Sequence, residues 1–318
     1  MKDRPARLDR GGANAIGRML GLLGDEWTLL IVQQALLGAD RYNEFMSRLP
    51  ISNSVLTKRL RMLVDEHLLT PEYRTTARCR SLWPVLLSIW EWERVWVPEH
   101  RRRLPAMRHT RCGDLFSPAL RCTACGATVS DDATVNDGVD LALGPSGQWH
   151  RSAPTASTRR RSGGAVGLAG RPGGHAGLFP QTMAVLGNRW AVALLLAAFL
   201  GNTRFSEFQT QLGAPPSLLT ERLQTFCDIG VLRAAPAREG SDRAIYLLTP
   251  KGRALSAVLV TALQWAQRWF LAPEGPAIVT THRGCGAELV AELSCDRCDE
   301  PLSGAQVEVT AVEAAGIP

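Results

Sequence analysis

The spacing His-x2-Cys-x9-Cys-x2-Cys occurs twice in this chain. It appears as His109, Cys112, Cys122 and Cys125, and again as His282, Cys285, Cys295 and Cys298. Two close pairs of nitrogen and sulfur ligands, joined by a short strand-like loop, suit a tetrahedral zinc knuckle or ribbon. Gly113, Gly126 and Gly286 sit beside ligands and allow tight turns there. Four such ligands leave no open coordination position, so the metal would be structural rather than catalytic. The expectation is one zinc per set, two in all, each closing a small zinc-ribbon-like lobe that would be hard to fold without it. The alternative is a metal-free hairpin with spare thiols. Of the two remaining cysteines, Cys227 reads as a small core residue and Cys79, aligned with Gly252, as an exposed thiol. No organic cofactor is implied.

The elements that must position these clusters are themselves written twice. Gly24, Trp27, Phe45, Leu56, Thr57, Arg59 and Leu60 recur 163 positions later as Gly187, Trp190, Phe208, Leu219, Thr220, Arg222 and Leu223. A constant offset over so many residues is a duplication. Beyond these helices the offset becomes 173, because ten residues are missing from the first copy. Helical periodicity places short helices over 14–23, 26–37 and 41–49, with Trp27, Leu30, Ile31, Leu37, Tyr42, Phe45 and Leu49 turned inward. A fourth helix, capped by Ser52 or Asn53, runs to about His67. Helix, short turn, helix is the layout of a helix-turn-helix unit.

The fourth helix packs through Leu56, Leu60 and Leu63, with His67 on the same face. It turns outward Asn53, Ser54, Thr57, Lys58 and Arg61, with Arg59 at the flank. Short polar groups followed by cations suit a helix lying in a DNA major groove. A solvated helix face is the plainer reading. The second copy presents Pro216, Ser217, Thr220, Glu221 and Gln224, with Arg222 flanking. Glu221 replaces Lys58, so the first helix should supply more of the electrostatic affinity. Val231 to Pro236 and Ala244 to Leu248 read as strands of a wing, with Arg238 and Arg243 near a turn at 239–242. The first copy keeps only a shortened wing. Each copy then closes with a tryptophan-bearing helix. Trp92 and Trp96 match Trp265 and Trp269, either as a core or helix–helix seam or as the lining of an effector pocket.

The expected architecture is mainly α with small β-hairpin wings (α+β). A tail covers 1–12, a first winged helix-turn-helix domain 13–104 and a Cys/His lobe 105–130. A disordered linker, rich in Gly, Ser and Pro and carrying Arg159, Arg160 and Arg161, spans 131–178. A second winged domain covers 179–272, a second lobe 273–308 and a tail 309–318. The net charge of +6 and a pI near 9.1 favour an acidic partner. No export signal is visible and the longest apolar run is too short to cross a membrane, so a cytoplasmic, nucleoid-associated place is expected. No Ser/His/Asp set, paired carboxylates or phosphate loop is present, so the chain does not read as an enzyme.

The segments LLGDEWTLLI, RYNEF, VLTKRLRML and LWPVLLSIWEW resemble the HxlR family of bacterial winged-helix transcriptional regulators. So do VLGNRWAVALL, RFSEF, LLTERLQTF and YLLTPKGRAL, and together they cover nearly all of both copies. The resemblance implies double-stranded DNA binding through the helices around Thr57 and Thr220, flanking wings, and dimers built through terminal helices. Some members sense oxidants through a cysteine in the first helix; Asn14 stands there in this chain, so that mode does not carry over. Two fused units imply a dimer built into one chain, reading a pseudo-palindromic site, most often as a repressor. A small-molecule effector and a further homodimer stay open. The alternative is a protein–protein module that kept the fold and lost strong DNA binding.

Overall fold

The computed structural model describes residues 4–101, 104–130, 137–148, 180–238 and 243–310. A short strand, β1 (Ala6–Arg7), leads into α1 (Ala15–Leu23), whose N-terminus is capped by the Asn14 side chain. Then come α2 (Glu26–Leu36), α3 (Tyr42–Arg48), α4 (Asn53–Asp65), α5 (Ala77–Arg80), α6 (Trp83–Trp96) and α7 (Pro98–Arg101). Ile16, Met19, Leu20 and Leu23 repeat at helical spacing and are all buried. In α4, Leu56, Leu60 and Leu63 are buried and Ser52 caps the first turn. Leu37 departs from its expected inward place. It follows the last turn of α2 and stands 47% exposed, because Gly38 at φ +91° has already turned the chain away. His67 lies beyond α4 in the left-handed conformation, φ 56°, and is exposed rather than on the packed face.

The second copy repeats the plan with α8 (Pro180–Leu186), α9 (Arg189–Phe199), α10 (Phe205–Leu212), α11 (Pro216–Asp228), α12 (Pro250–Arg253) and α13 (Ser256–Trp269). Its wing is the antiparallel pair β5 (Leu232–Pro236) and β6 (Ala244–Leu248). A third segment joins that wing at the Arg204–Ile245 bridge, where Tyr246 N–H donates to the Thr203 carbonyl. The first wing is a stub, closed by the Leu69–Thr75 bridge and by Thr70 N–H donating to the Arg74 carbonyl. Tyr73, at φ 61°, folds its ring edge-on against buried Phe45.

The halves meet around a pseudo-twofold axis and share one continuous apolar core. Asp25 and Asn188, repeat equivalents, form an isolated antiparallel bridge. A Cβ on Gly24 would lie 2.5 Å from the Leu20 carbonyl oxygen and 2.6 Å from the Arg189 Cα; one on Gly187 would lie 2.7 Å from the Met183 carbonyl oxygen. The recurring glycines are therefore where the two backbones cross. The tryptophans form the seam. Trp92 Nε1 donates to the Lys251 carbonyl, and Trp265 Nε1 to that of Arg78, both at 3.0 Å. Lys251 and Arg78 are themselves repeat equivalents, so the contact is isologous, as in a symmetric homodimer. Trp269 adds a hydrogen bond to the Ser81 hydroxyl. On the other side, buried Glu93 of α6 accepts from Thr182 N–H at the start of α8.

The Cys/His lobes are not two separate ribbons. β3 (Pro118–Cys122) pairs antiparallel with β9 (Ala291–Cys295), and Leu120 faces its own equivalent, Leu293. β2 (Ala106–His109) pairs with β10 (Val307–Thr310), while β4 (Val139–Leu143) pairs with β8 (Ile278–His282). The strand that follows each lobe thus crosses to the other lobe. β4 lies inside the stretch expected to be linker. Its Val-Asp-Leu-Ala-Leu alternation completes an edge that β8 would otherwise leave open. The basic cluster at 159–161 and the turn at 239–242 lie outside the described residues. A short parallel pair joins β1 to β7 (Phe270–Leu271), tying the N-terminus to the far half.

Gly21, exposed in the last turn of α1 with nothing within 4 Å of its missing Cβ, contrasts with Gly24. Gly21→Ala should stabilise the fold by about 0.5–1 kcal/mol. Gly24→Ala should destabilise it by about 1–3 kcal/mol through backbone overlap. Denaturant titration of the two variants reads both signs.

Candidate nucleic-acid interface and metal centres

On α4, Asn53, Ser54, Thr57, Lys58 and Arg61 are all exposed on the face opposite the leucines. The face is held from below by Tyr42, expected only to turn inward with the core. The Tyr42 hydroxyl lies 3.1 Å from both the Asn53 carbonyl and its Oδ1, and 3.2 Å from Thr57 Oγ1. The signal was the RYNEF/RFSEF difference, since Phe205 in the second copy has no hydroxyl. There Thr220 Oγ1 instead donates back to the Pro216 carbonyl at 3.0 Å.

Arg59 does not join the outward set. Its Nη2 reaches Asp25 Oδ2 at 2.5 Å, and its side chain is only 16% exposed. Asp25 is also the cap of α2, accepting from Thr28 N–H. In the second copy Asn188 takes the place of Asp25 and cannot neutralise Arg222. Arg222 pairs instead with Glu221 at 3.1 Å. The exchange of Lys58 for Glu221 therefore accompanies the exchange of Asp25 for Asn188. Of the rest of the second face, Ser217 and Thr220 are exposed, and exposed Gln224 bonds Asp228 at 2.7 Å. Arg238 and Arg243 are exposed on the second wing, where Ala237 N–H donates to the Arg243 carbonyl.

The eight expected metal ligands do converge, but in a different partition. His109 and Cys112 meet Cys295 and Cys298; Cys122 and Cys125 meet His282 and Cys285. Within each group the ligand atoms lie within 4.8 Å of one another. The expected sets, each drawn from one lobe, are corrected by strand geometry. β3 is an extended strand of five residues, so it carries Cys122 about 13 Å from Pro118, away from the His109–Cys112 turn. Its antiparallel partner β9 brings Cys295 back opposite Pro118.

The donor set fits zinc. His109 Nδ1 lies 3.5 Å from Cys112 Sγ and 3.4 Å from Cys298 Sγ, and the Cys112 and Cys295 sulfurs are 3.9 Å apart. In the other group His282 Nδ1 lies 3.3 Å from Cys285 Sγ and 3.4 Å from Cys125 Sγ, with Cys122 and Cys285 4.0 Å apart. A tetrahedral zinc with ordinary bond lengths needs about 3.5 Å between N and S and about 3.8 Å between sulfurs. Each pair sits on a turn whose fifth residue donates to the first. Gly113, Gly126 and Gly286 donate to His109, Cys122 and His282, all with positive φ; Asp299, at φ 62°, does the same for Cys295. The groups differ in access, since Cys125 and Cys285 are exposed while Cys112 and Cys298 are half-buried.

A small cleft of about 130 Å³ lies at the seam beside Trp92 and Trp96, lined also by Ala254 and Ala257. Pockets for drug-sized ligands are larger, roughly 300–1,000 Å³. Among the described residues no helix is long and apolar enough to cross a membrane.

Two winged helix-turn-helix units with outward polar recognition helices define a protein of the DNA-binding regulator class. The profile of the HxlR-like helix-turn-helix family matches residues 22–101 and again 185–273, more than half of the chain. The chain belongs to that family, and its relatives are regulators, not enzymes. It is 32% identical over 127 residues to an uncharacterized HTH-type transcriptional regulator of Mycobacterium tuberculosis (strain ATCC 25618 / H37Rv), spanning 40% of this chain and 80% of the relative. It is 32% identical over 92 residues to the uncharacterized HTH-type transcriptional regulator YvaP of Bacillus subtilis (strain 168), spanning 29% and 85%. The solved structure of PA1607, a candidate transcription factor, shares 33% identity over 42% of this chain and 94% of its own, with a TM-score of 0.38.

Cys79 is corrected from an exposed thiol to a buried one, packed within α5, and burial pushes its pKa up to about 12. Cys227 is half-buried beside fully buried Phe226. At pH 8 the Cys79 thiolate is scarce, on the order of one part in 10⁴. Iodoacetamide should modify Cys79 on the order of 10³-fold more slowly in the native chain than in guanidinium, read by peptide mass spectrometry.

Proposed function

We propose that this chain is a sequence-specific repressor that reads an imperfect palindrome with two unequal recognition helices, α4 and α11. The observation that carries the reading is the exposed face of α4. Asn53 and Thr57 are held by Tyr42, and Lys58 and Arg61 follow on the same face. Amide and hydroxyl groups at the N-terminal end suit base edges, and the cations suit phosphates. The pseudo-twofold contacts at Asp25–Asn188 and at the tryptophan seam support two readers presented by one chain. The second helix carries Glu221, so its half-site is bound with less phosphate attraction and more dependence on Ser217, Thr220 and Gln224. The two Cys/His groups hold structural zinc, supported by their ligand chemistry and spacing.

Selection of genomic fragments with the zinc-loaded chain, followed by salt titration of each enriched fragment, tests the proposal. One or a few upstream regions with a two-part site are expected. Lys58→Ala should flatten the slope of log affinity against log salt by about 1, and Glu221→Lys should steepen it by up to about 1. Asn53→Ala should relax preference at one base position. Arg59→Ala should leave the slope alone and lower fold stability by about 1–3 kcal/mol, since it strips the partner from Asp25. Binding that is indifferent to sequence and vanishes with salt would sink the repressor reading.

A further inference from the structure

We infer that each metal is ligated by both halves of the chain at once, so that two ions staple the pseudo-dimer and neither half can hold one alone. The inference rests on the reading of the clusters as metal sites and adds to it their division of labour. One half owns a His-Cys turn, His109 and Cys112, and a Cys-Cys turn, Cys122 and Cys125, at opposite ends of β3. The other half owns the same two turns at opposite ends of β9. Because β3 and β9 run antiparallel through the Leu120–Leu293 pair, each end of the ribbon gathers one turn from each half. Reciprocal hydrogen bonds hold the ends closed. Thr123 N–H donates to the Val290 carbonyl at 2.9 Å, and its equivalent, Asp296 N–H, to the Ser117 carbonyl at 3.2 Å.

A separated half would offer two pairs of ligands held apart by an extended strand, too few at either end for a four-coordinate ion. Metal binding is therefore coupled to docking of the halves, just as metal binding is coupled to folding in small zinc domains.

Cobalt(II), added to the metal-free full-length chain under reducing conditions, tests the partition. Cys112→Ser with Cys295→Ser strips two ligands from one crossed site and spares the other. It should retain one tightly bound equivalent with the native tetrahedral spectrum. Cys112→Ser with Cys122→Ser removes one ligand from each crossed site, and should retain no equivalent of native affinity or spectrum. The opposite pattern would overturn the crossing while leaving the metal reading intact. Failure of the unmodified chain to bind cobalt would overturn the metal reading itself. Histidine variants at the same positions keep a ligand and guard against misfolding. Cys112→His with Cys295→His should give two distinct cobalt environments, one native. Cys112→His with Cys122→His should give two altered sites with the same ligand count, and exchange of these outcomes would again refute the crossing.

Discussion

The pairing of β3 with β9 is the constraint on which the rest of the distal architecture depends. It places Leu120 against its own repeat equivalent and so puts the pseudo-twofold axis through a backbone ladder. Once that pair is antiparallel, the partition of the eight ligands follows, because each end of β3 must lie beside the opposite end of β9. The exchange of β4 and β10 follows too, since each lobe leaves an open edge facing the strand that exits its neighbour. At the other end of the same axis, Gly24 and Gly187 let the backbones cross, and between them the tryptophan hydrogen bonds are exchanged reciprocally. The halves are joined by backbone contacts and buried indoles.

The repeats of this chain made most of the helical architecture legible. Constant offsets marked the two units, and leucine spacing marked the buried face of α4. The ligand residues were legible as a set, because cysteine and histidine at such spacing have few other uses. Their partition was not. Sequence proximity favours local closure, and only the extended run of β3, Pro118 to Cys122, paired along its length with β9, rules it out. β4 was hidden by its company: five alternating residues inside a Gly- and Ser-rich stretch look like linker until a waiting edge supplies their hydrogen bonds. Cys79 was misplaced because alignment with a glycine suggested room at the surface, whereas Gly252 is itself buried against the Val231 carbonyl.

Charge on α4 and α11 tracks a residue outside them. Asp25 caps α2 and absorbs Arg59, which frees the neighbouring position for a cation, Lys58. Asn188 keeps the capping role for α9 but loses the charge, and Arg222 takes its counterion from its own helix, Glu221. A one-atom change from carboxylate to amide near the axis thus reappears as a reversal of sign on the outer surface. Tyr42 and Phe205 act similarly, one atom deciding whether a threonine hydroxyl is engaged by a side chain or by its own helix.

Two identical subunits docked about a true twofold axis look the same after half a turn, and have no front or back. In this chain the long wing, the stub, Lys58 and Glu221 sit on fixed sides of the axis, because a single polypeptide writes each half separately. The molecule therefore has polarity. Turned end for end, it presents a different surface.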